Sequence, residues 1–169
     1  MIRTDLLAEP GLADGLVPNP ASPILAPLVS PPMVMDHALG IDLILEGFLA
    51  HHGRPRELAV TDTAALVLAG DYCYAAGLVR VAQANDVFAI DALARLVALS
   101  AGLVATGRRN ELAVVWLGTV VAIAGSADPA TRARLSEAVR RSTDDRDSGG
   151  FDQLAAELID PPDLVAVLA

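Results

Sequence analysis

Seven of the eleven prolines fall within the first 32 residues, at Pro10, Pro18, Pro20, Pro23, Pro27, Pro31 and Pro32. Proline lacks a backbone N–H and its ring clashes with the preceding helical turn, so no helix is expected to run through that spacing. Residues 1–32 read as a Pro-rich extended arm, disordered or laid over a partner. After Pro55 there is no proline until Pro129. The chain is 53% hydrophobic but only 4% aromatic, so Ala, Leu and Val must do the packing, a composition suited to helices. The expectation is an all-α, single-domain helical bundle over residues 33–169. Its helices fall near 33–52, 57–82, 86–106, 110–125 and 129–143, with a shorter pair near 151–159 and 163–168. Gly53 and Pro55 close the first of these, Asn85 is placed to cap the third, and Asp128 followed by Pro129 opens the fifth.

The formal net charge is -9, and every basic residue is Arg. With no basic stripe to neutralise phosphates, nucleic acid is excluded as a partner. A single cysteine, Cys73, rules out an internal disulfide and reads as a small buried hydrophobe. The opening residues lack an apolar signal-like run before Pro10, and the greasiest stretch, Leu112 to Gly125, reads as a buried helix. These features lead to an expectation of a cytoplasmic protein with no membrane span. The apolar surplus suits an oligomer or a cavity for an apolar ligand.

Two features carry chemistry. The first is a Gly-Asp pair, Gly70 and Asp71, inside the apolar run "AALVLAGDYCYAAGLV". A helix-interior Gly costs about 1 kcal/mol relative to Ala, which a close helix crossing would explain. Asp71 is then expected to be buried and hydrogen-bonded. The second is "DLILEGFLAHHGRP", from Asp42 to Pro55. Asp42 and Glu46, four residues apart, share one helix face. They read either as a solvated face or as ligands for a divalent cation such as Mg²⁺. His51 and His52 lie in the last turn, where the helix dipole favours them. Arg108 and Arg109 are placed to cap carbonyls at a helix end. No nucleophile elbow, P-loop or dinucleotide fingerprint occurs.

From Asp42 to about Val81 the chain resembles the trans-isoprenyl diphosphate synthases, or polyprenyl synthetases. "DLILE" stands where that family has D-D-x-x-D, "HHGRP" where it has R-R-G-x-P, and "LAGDYCYAAGL" where it has its Gly-Asp helix. A looser likeness continues to about residue 140. The resemblance implies a bundle similar to part of the family's fold, with Gly70 and Asp71 structural and close to a subunit interface. It implies metal ligation at Asp42 and Glu46, and diphosphate binding at His51, His52 and Arg54.

The departures carry the functional expectation. The family's chemistry ionises an allylic diphosphate held by Mg²⁺ and by Lys and Arg. Here Leu43 replaces the second aspartate, Glu46 the third, and His51 and His52 the Arg pair. There is no Lys, and "TDDRDS", from Thr143 to Ser148, lacks the apolar frame of a second aspartate-rich motif. No catalytic residue is assigned and no cofactor is expected. The leading reading is a non-catalytic or regulatory subunit, in a homo-oligomer or paired with a catalytic isoprenyl diphosphate synthase, dimeric through residues 57–82 and 86–106. The alternatives are a minimal Mg²⁺-dependent prenyltransferase completed by a partner chain, and an isoprenoid- or lipid-binding bundle.

Overall fold

The computed structural model describes residues 2–29, 35–125, 128–158 and 163–168. Within them the protein is all-α. The helices are α1 (Arg3–Ala8), α2 (Pro10–Ala13), α3 (Met35–His52), α4 (Thr63–Gln83), α5 (Val87–Ala105), α6 (Leu112–Ala124), α7 (Pro129–Asp144), α8 (Gly149–Ala155) and α9 (Val165–Leu168). The expected helix start at residue 33, the arm prolines Pro31 and Pro32, and a helix end at residue 159 lie outside the described residues.

Helix ends follow local chemistry. Asp62 accepts from the Ala65 N–H at 2.8 Å and starts α4 at Thr63, six residues later than the sequence suggested. Residues 57–59 are instead extended, because their backbone pairs with residues 15–17. Asp86, not Asn85, caps α5, accepting from Ala89 N–H at 3.1 Å, while Asn85 takes a left-handed φ of 56°. Asp128 caps α7 as expected, accepting from Ala130 and Thr131. Gly107, at φ 73°, ends α5: its N–H bonds the Val104 carbonyl at 3.1 Å and the Arg108 N–H bonds the Leu103 carbonyl at 2.8 Å. That pairing needs a left-handed residue, which Gly supplies without strain.

The centre of the fold is α3. Every residue from Ala38 to Ala50 is buried. Phe48 packs on Trp116 of α6 with ring centroids 5.6 Å apart, and α6 is itself buried from Val115 to Val120. The apolar run 64–79 is half exposed on α4: Leu68 is 68% and Val79 57% exposed.

α3 and α4 lie antiparallel and close, with paired glycines at the contact. A Cβ on Gly47 would stand 2.9 Å from the Gly70 carbonyl oxygen, and one on Gly40 would stand 2.8 Å from that of Gly77. The helices touch backbone to backbone at two points one heptad apart. This accounts for a Gly in mid-helix at each place.

The N-terminal arm differs from expectation. Two short helices form in it, with Pro10 at the first turn of α2, where its missing N–H costs nothing. Leu6, Leu12 and Leu25 are buried against the bundle. From residue 14 to 25 the segment runs through turns and bends without a helix, and it is docked on its own chain.

Candidate functional site

The acidic residues singled out in the sequence occupy the underside of this docked segment. Asp42 is 4% exposed and Glu46 1% exposed, so neither belongs to a solvated helix face. A buried carboxylate is costly unless its oxygens are satisfied. Asp42 Oδ1 accepts from the N–H groups of Ile24 and Leu25 at 3.1 and 3.0 Å, and Oδ2 from that of Ala26 at 2.9 Å. Glu46 Oε1 accepts from the N–H groups of Arg56, Glu57 and Leu58 at 2.9, 2.8 and 3.3 Å. Its Oε2 also lies 3.1 Å from the Arg56 nitrogen. Two adjacent turns of one helix thus hold two different loops, each through a nest of backbone amides.

A third carboxylate completes the arrangement. Glu57, 1% exposed, accepts from Ala21 N–H at 2.8 Å and pairs with Arg3 at 3.2 Å. Around it the Val17 N–H bonds the Glu57 carbonyl at 2.9 Å and the Ala59 N–H bonds the Gly15 carbonyl at 2.7 Å. The Arg56 guanidinium donates to the Ser22 carbonyl, and Arg80 pairs with Asp5. Burial pushes the carboxyls of Asp42 and Glu46 above their usual range, against the opposing pull of the amides and of Arg56. Sequence reasoning missed Glu57, because nothing in "GRPREL" marks its fifth residue as buried.

This geometry corrects the cation-site expectation for Asp42 and Glu46. Their oxygens are turned into amide nests on separate loops. No cluster of three metal-ligating side chains exists among the described residues. The pair does not fit Mg²⁺.

The Gly-Asp pair and the histidines, by contrast, are brought together. A Cβ on Gly70 would lie 2.7 Å from Cδ2 of His51 and 3.1 Å from the Ala50 Cβ. The missing side chain makes room for the imidazole. His51 stacks on Tyr74, with centroids 5.3 Å apart and planes 9° from parallel. Its Nε2 is 3.1 Å from Asp71 Oδ1 but makes no hydrogen bond. Asp71 is not buried: its side chain is 63% exposed on the outer face of α4.

His52 packs on Phe48 at 4.9 Å between centroids. Burial, with the nearby His51 and Arg109, holds its imidazole below the usual pKa. Arg109 donates to the His52 carbonyl at 2.8 Å, so it caps α3 and not the helix it follows. Arg108 bonds Glu111 and the Arg146 carbonyl. Arg54 is exposed and makes no hydrogen bond or ion pair among the described residues. The His51 and His52 rings lie 6.0 Å apart, centroid to centroid. Cys73 is fully buried, and burial pushes its thiol up to about 12.

No family model, curated protein or solved structure matches the chain.

The other surface of note is the outer face of α4. Ala64, Leu68, Ala75, Val79 and Ala82 are exposed along it, and Val87 at the start of α5 is 76% exposed. By length and composition α4 and α5 could each cross a membrane, and only 28% and 33% of their apolar windows are buried. The core helix of a soluble domain is mostly buried, so α4 and α5 are covered less than such a helix.

Proposed function

We propose that this protein is a non-catalytic, cytoplasmic subunit that acts by assembly, related to the isoprenyl diphosphate synthases whose motifs Asp42 to Val81 resemble. The observation that carries the reading is the fate of Asp42 and Glu46. At the two positions where the resemblance puts metal ligands, the carboxylates hold the chain's own backbone amides. A diphosphate would also meet His51 and His52 where the family has arginines, with no Lys in the chain to assist. Groups that act together in catalysis fail together when several are replaced.

The exposed α4 face supports the assembly part of the reading. Its outward positions Ala64, Leu68, Asp71, Ala75 and Ala82 are mostly small or apolar, and a two-fold contact between copies would cover them. A catalytic synthase presenting a similar helix would cover them equally well.

The test is a transfer assay with Mg²⁺ and allylic plus homoallylic diphosphates, run alongside light scattering. The expected result is no product above a no-enzyme control and a mass of at least two chains. Product that disappears in Asp42→Ala would overturn the non-catalytic reading, and a monodisperse monomer would overturn the assembly reading.

A further inference from the structure

A separate cavity opens between α5 and α7, away from the carboxylates of α3. It has a volume of about 450 Å³, and Ala98, Leu99, Leu103 and Val139 give it an apolar wall. Arg95, Arg108 and Arg146 also line it, a local gathering of cations in a chain of net charge -9.

The three arginines are not equivalent. Arg95 Nε donates to Asp91 at 2.8 Å. Arg108 makes two bonds of 2.6 Å to Glu111 and a third to the Arg146 carbonyl. The Arg146 guanidinium has no hydrogen bond or ion pair among the described residues. Its acidic neighbours in sequence are engaged elsewhere: Asp145 faces Arg140 at 3.8 Å, and Asp147 pairs with Arg141. The hydroxyls at the cavity are also committed, Ser142 to the Ser148 hydroxyl at 3.4 Å. Thr106 donates to the Gly102 carbonyl at 2.8 Å and Thr143 to the Val139 carbonyl at 2.9 Å. Among the described residues, Arg146 thus stands unpaired beside an apolar wall.

We propose that this cavity binds a single-chain amphiphile with a monoanionic head, a medium-chain carboxylate. The head pairs with Arg146 and the tail lies along Leu99, Leu103 and Val139. The volume lies in the range of small-ligand sites, about 300–1,000 Å³, and an apolar wall with one oriented polar group is their usual make-up. The charge balance selects the head. One unpaired guanidinium matches one carboxylate, whereas a polyanionic head would leave charge uncompensated beside Asp145 and Asp147.

Gly102 supplies a clean test. It lines the cavity, and a Cβ built there meets nothing within 4 Å. A first side-chain carbon is accommodated there, so Gly102→Leu is expected to project into the cavity, and it gains helix propensity. Calorimetric titration of the full chain with decanoate, below its micelle concentration, is expected to show one saturable site. Octanoate binds more weakly, by about fourfold for each methylene removed. Arg146→Gln weakens decanoate about tenfold or more, and Gly102→Leu abolishes binding with an unchanged or higher urea midpoint. Absence of saturation, equal binding of decanol, or wild-type affinity in Arg146→Gln overturns the proposal. Neither substitution touches α4, so failure here leaves the assembly reading standing.

Discussion

A Cβ on Gly40 would lie 2.8 Å from the Gly77 carbonyl oxygen, and a Cβ on Gly77 would lie 2.6 Å from the Gly40 carbonyl oxygen. The contact is reciprocal and involves backbone on both sides, so neither helix can yield by turning a side chain. Gly70 differs, because its nearest neighbour is the movable imidazole of His51. Gly77→Ala is expected to destabilise by about 1–3 kcal/mol, the range for overpacking. Gly70→Ala should cost less, and Gly102→Ala should stabilise by up to about 1 kcal/mol. Urea unfolding of the three variants checks the order, and equal midpoints would show that α3 and α4 are not in backbone contact.

The carboxylate anchors make a local prediction. Asp42→Ala strands the amides of Ile24, Leu25 and Ala26, at about 1–3 kcal/mol for each buried donor left unpaired. The segment can escape the full cost by detaching. Hydrogen exchange should therefore accelerate at residues 24–26 and stay unchanged at 56–58, with the reverse in Glu46→Ala. Millimolar Mg²⁺ should leave both patterns and the wild-type melting temperature unaltered. Uniform acceleration across both loops, or protection by Mg²⁺, would count against the anchoring role.

Burial, then the charges of His51 and Arg109, lower the His52 pKa in the folded chain. The sign follows from proton counting. Between the folded value and the unfolded value of about 6.5, the unfolded chain holds a proton that the folded chain lacks. Stability from this residue is complete above about pH 6.5 and falls as pH drops through that window. The midpoint difference between wild type and His52→Gln should change across it, and a difference independent of pH would refute the shift.

Cys73 gives a simple probe of packing. Its thiol is buried on α4 and pushed up to about 12 by burial and the nearby Glu46. Thiolate is the reactive form. A disulfide reagent at neutral pH is expected to leave the native protein unmodified and to label it completely in urea. Rapid native labelling would mean that α4 separates from α3.

The sequence made the helices legible wherever period, caps and proline agreed. Asp128 with Pro129 placed the start of α7, and Gly53 the end of α3. It misjudged the arm because proline spacing reports what a helix cannot do; it does not report what buries Leu6, Leu12 and Leu25. Asp42 and Glu46 were legible as a pair on one face. Their partners were not, since backbone amides of residues 24–26 and 56–58 carry no side-chain signature. The Gly-Asp pair was half read. The close crossing was inferred from Gly70, whereas its use as a seat for His51 depends on α3 lying antiparallel, which no local pattern encodes.

The exposed face of α4 leads to the last prediction. Leu68 and Val79 lie eleven residues apart, about three helical turns, so they share that face. Each is more than half exposed, at 68% and 57%. Asp71 sits between them, 3.1 Å from His51 Nε2 and close enough to Tyr74 to act on its hydroxyl. An interface there would place an apolar seam around two Asp71 side chains, one from each copy, and their repulsion would favour modest affinity. Leu68→Asp adds a like charge to the seam and should drive the assembly to monomer, while leaving the helical circular dichroism intact, because Leu68 is 68% exposed. Raised salt should strengthen the wild-type assembly by screening the Asp71 pair. Sedimentation at several concentrations, with and without salt, reads both effects. If Leu68→Asp keeps the wild-type mass, α4 is not the seam and the assembly must form elsewhere on the bundle.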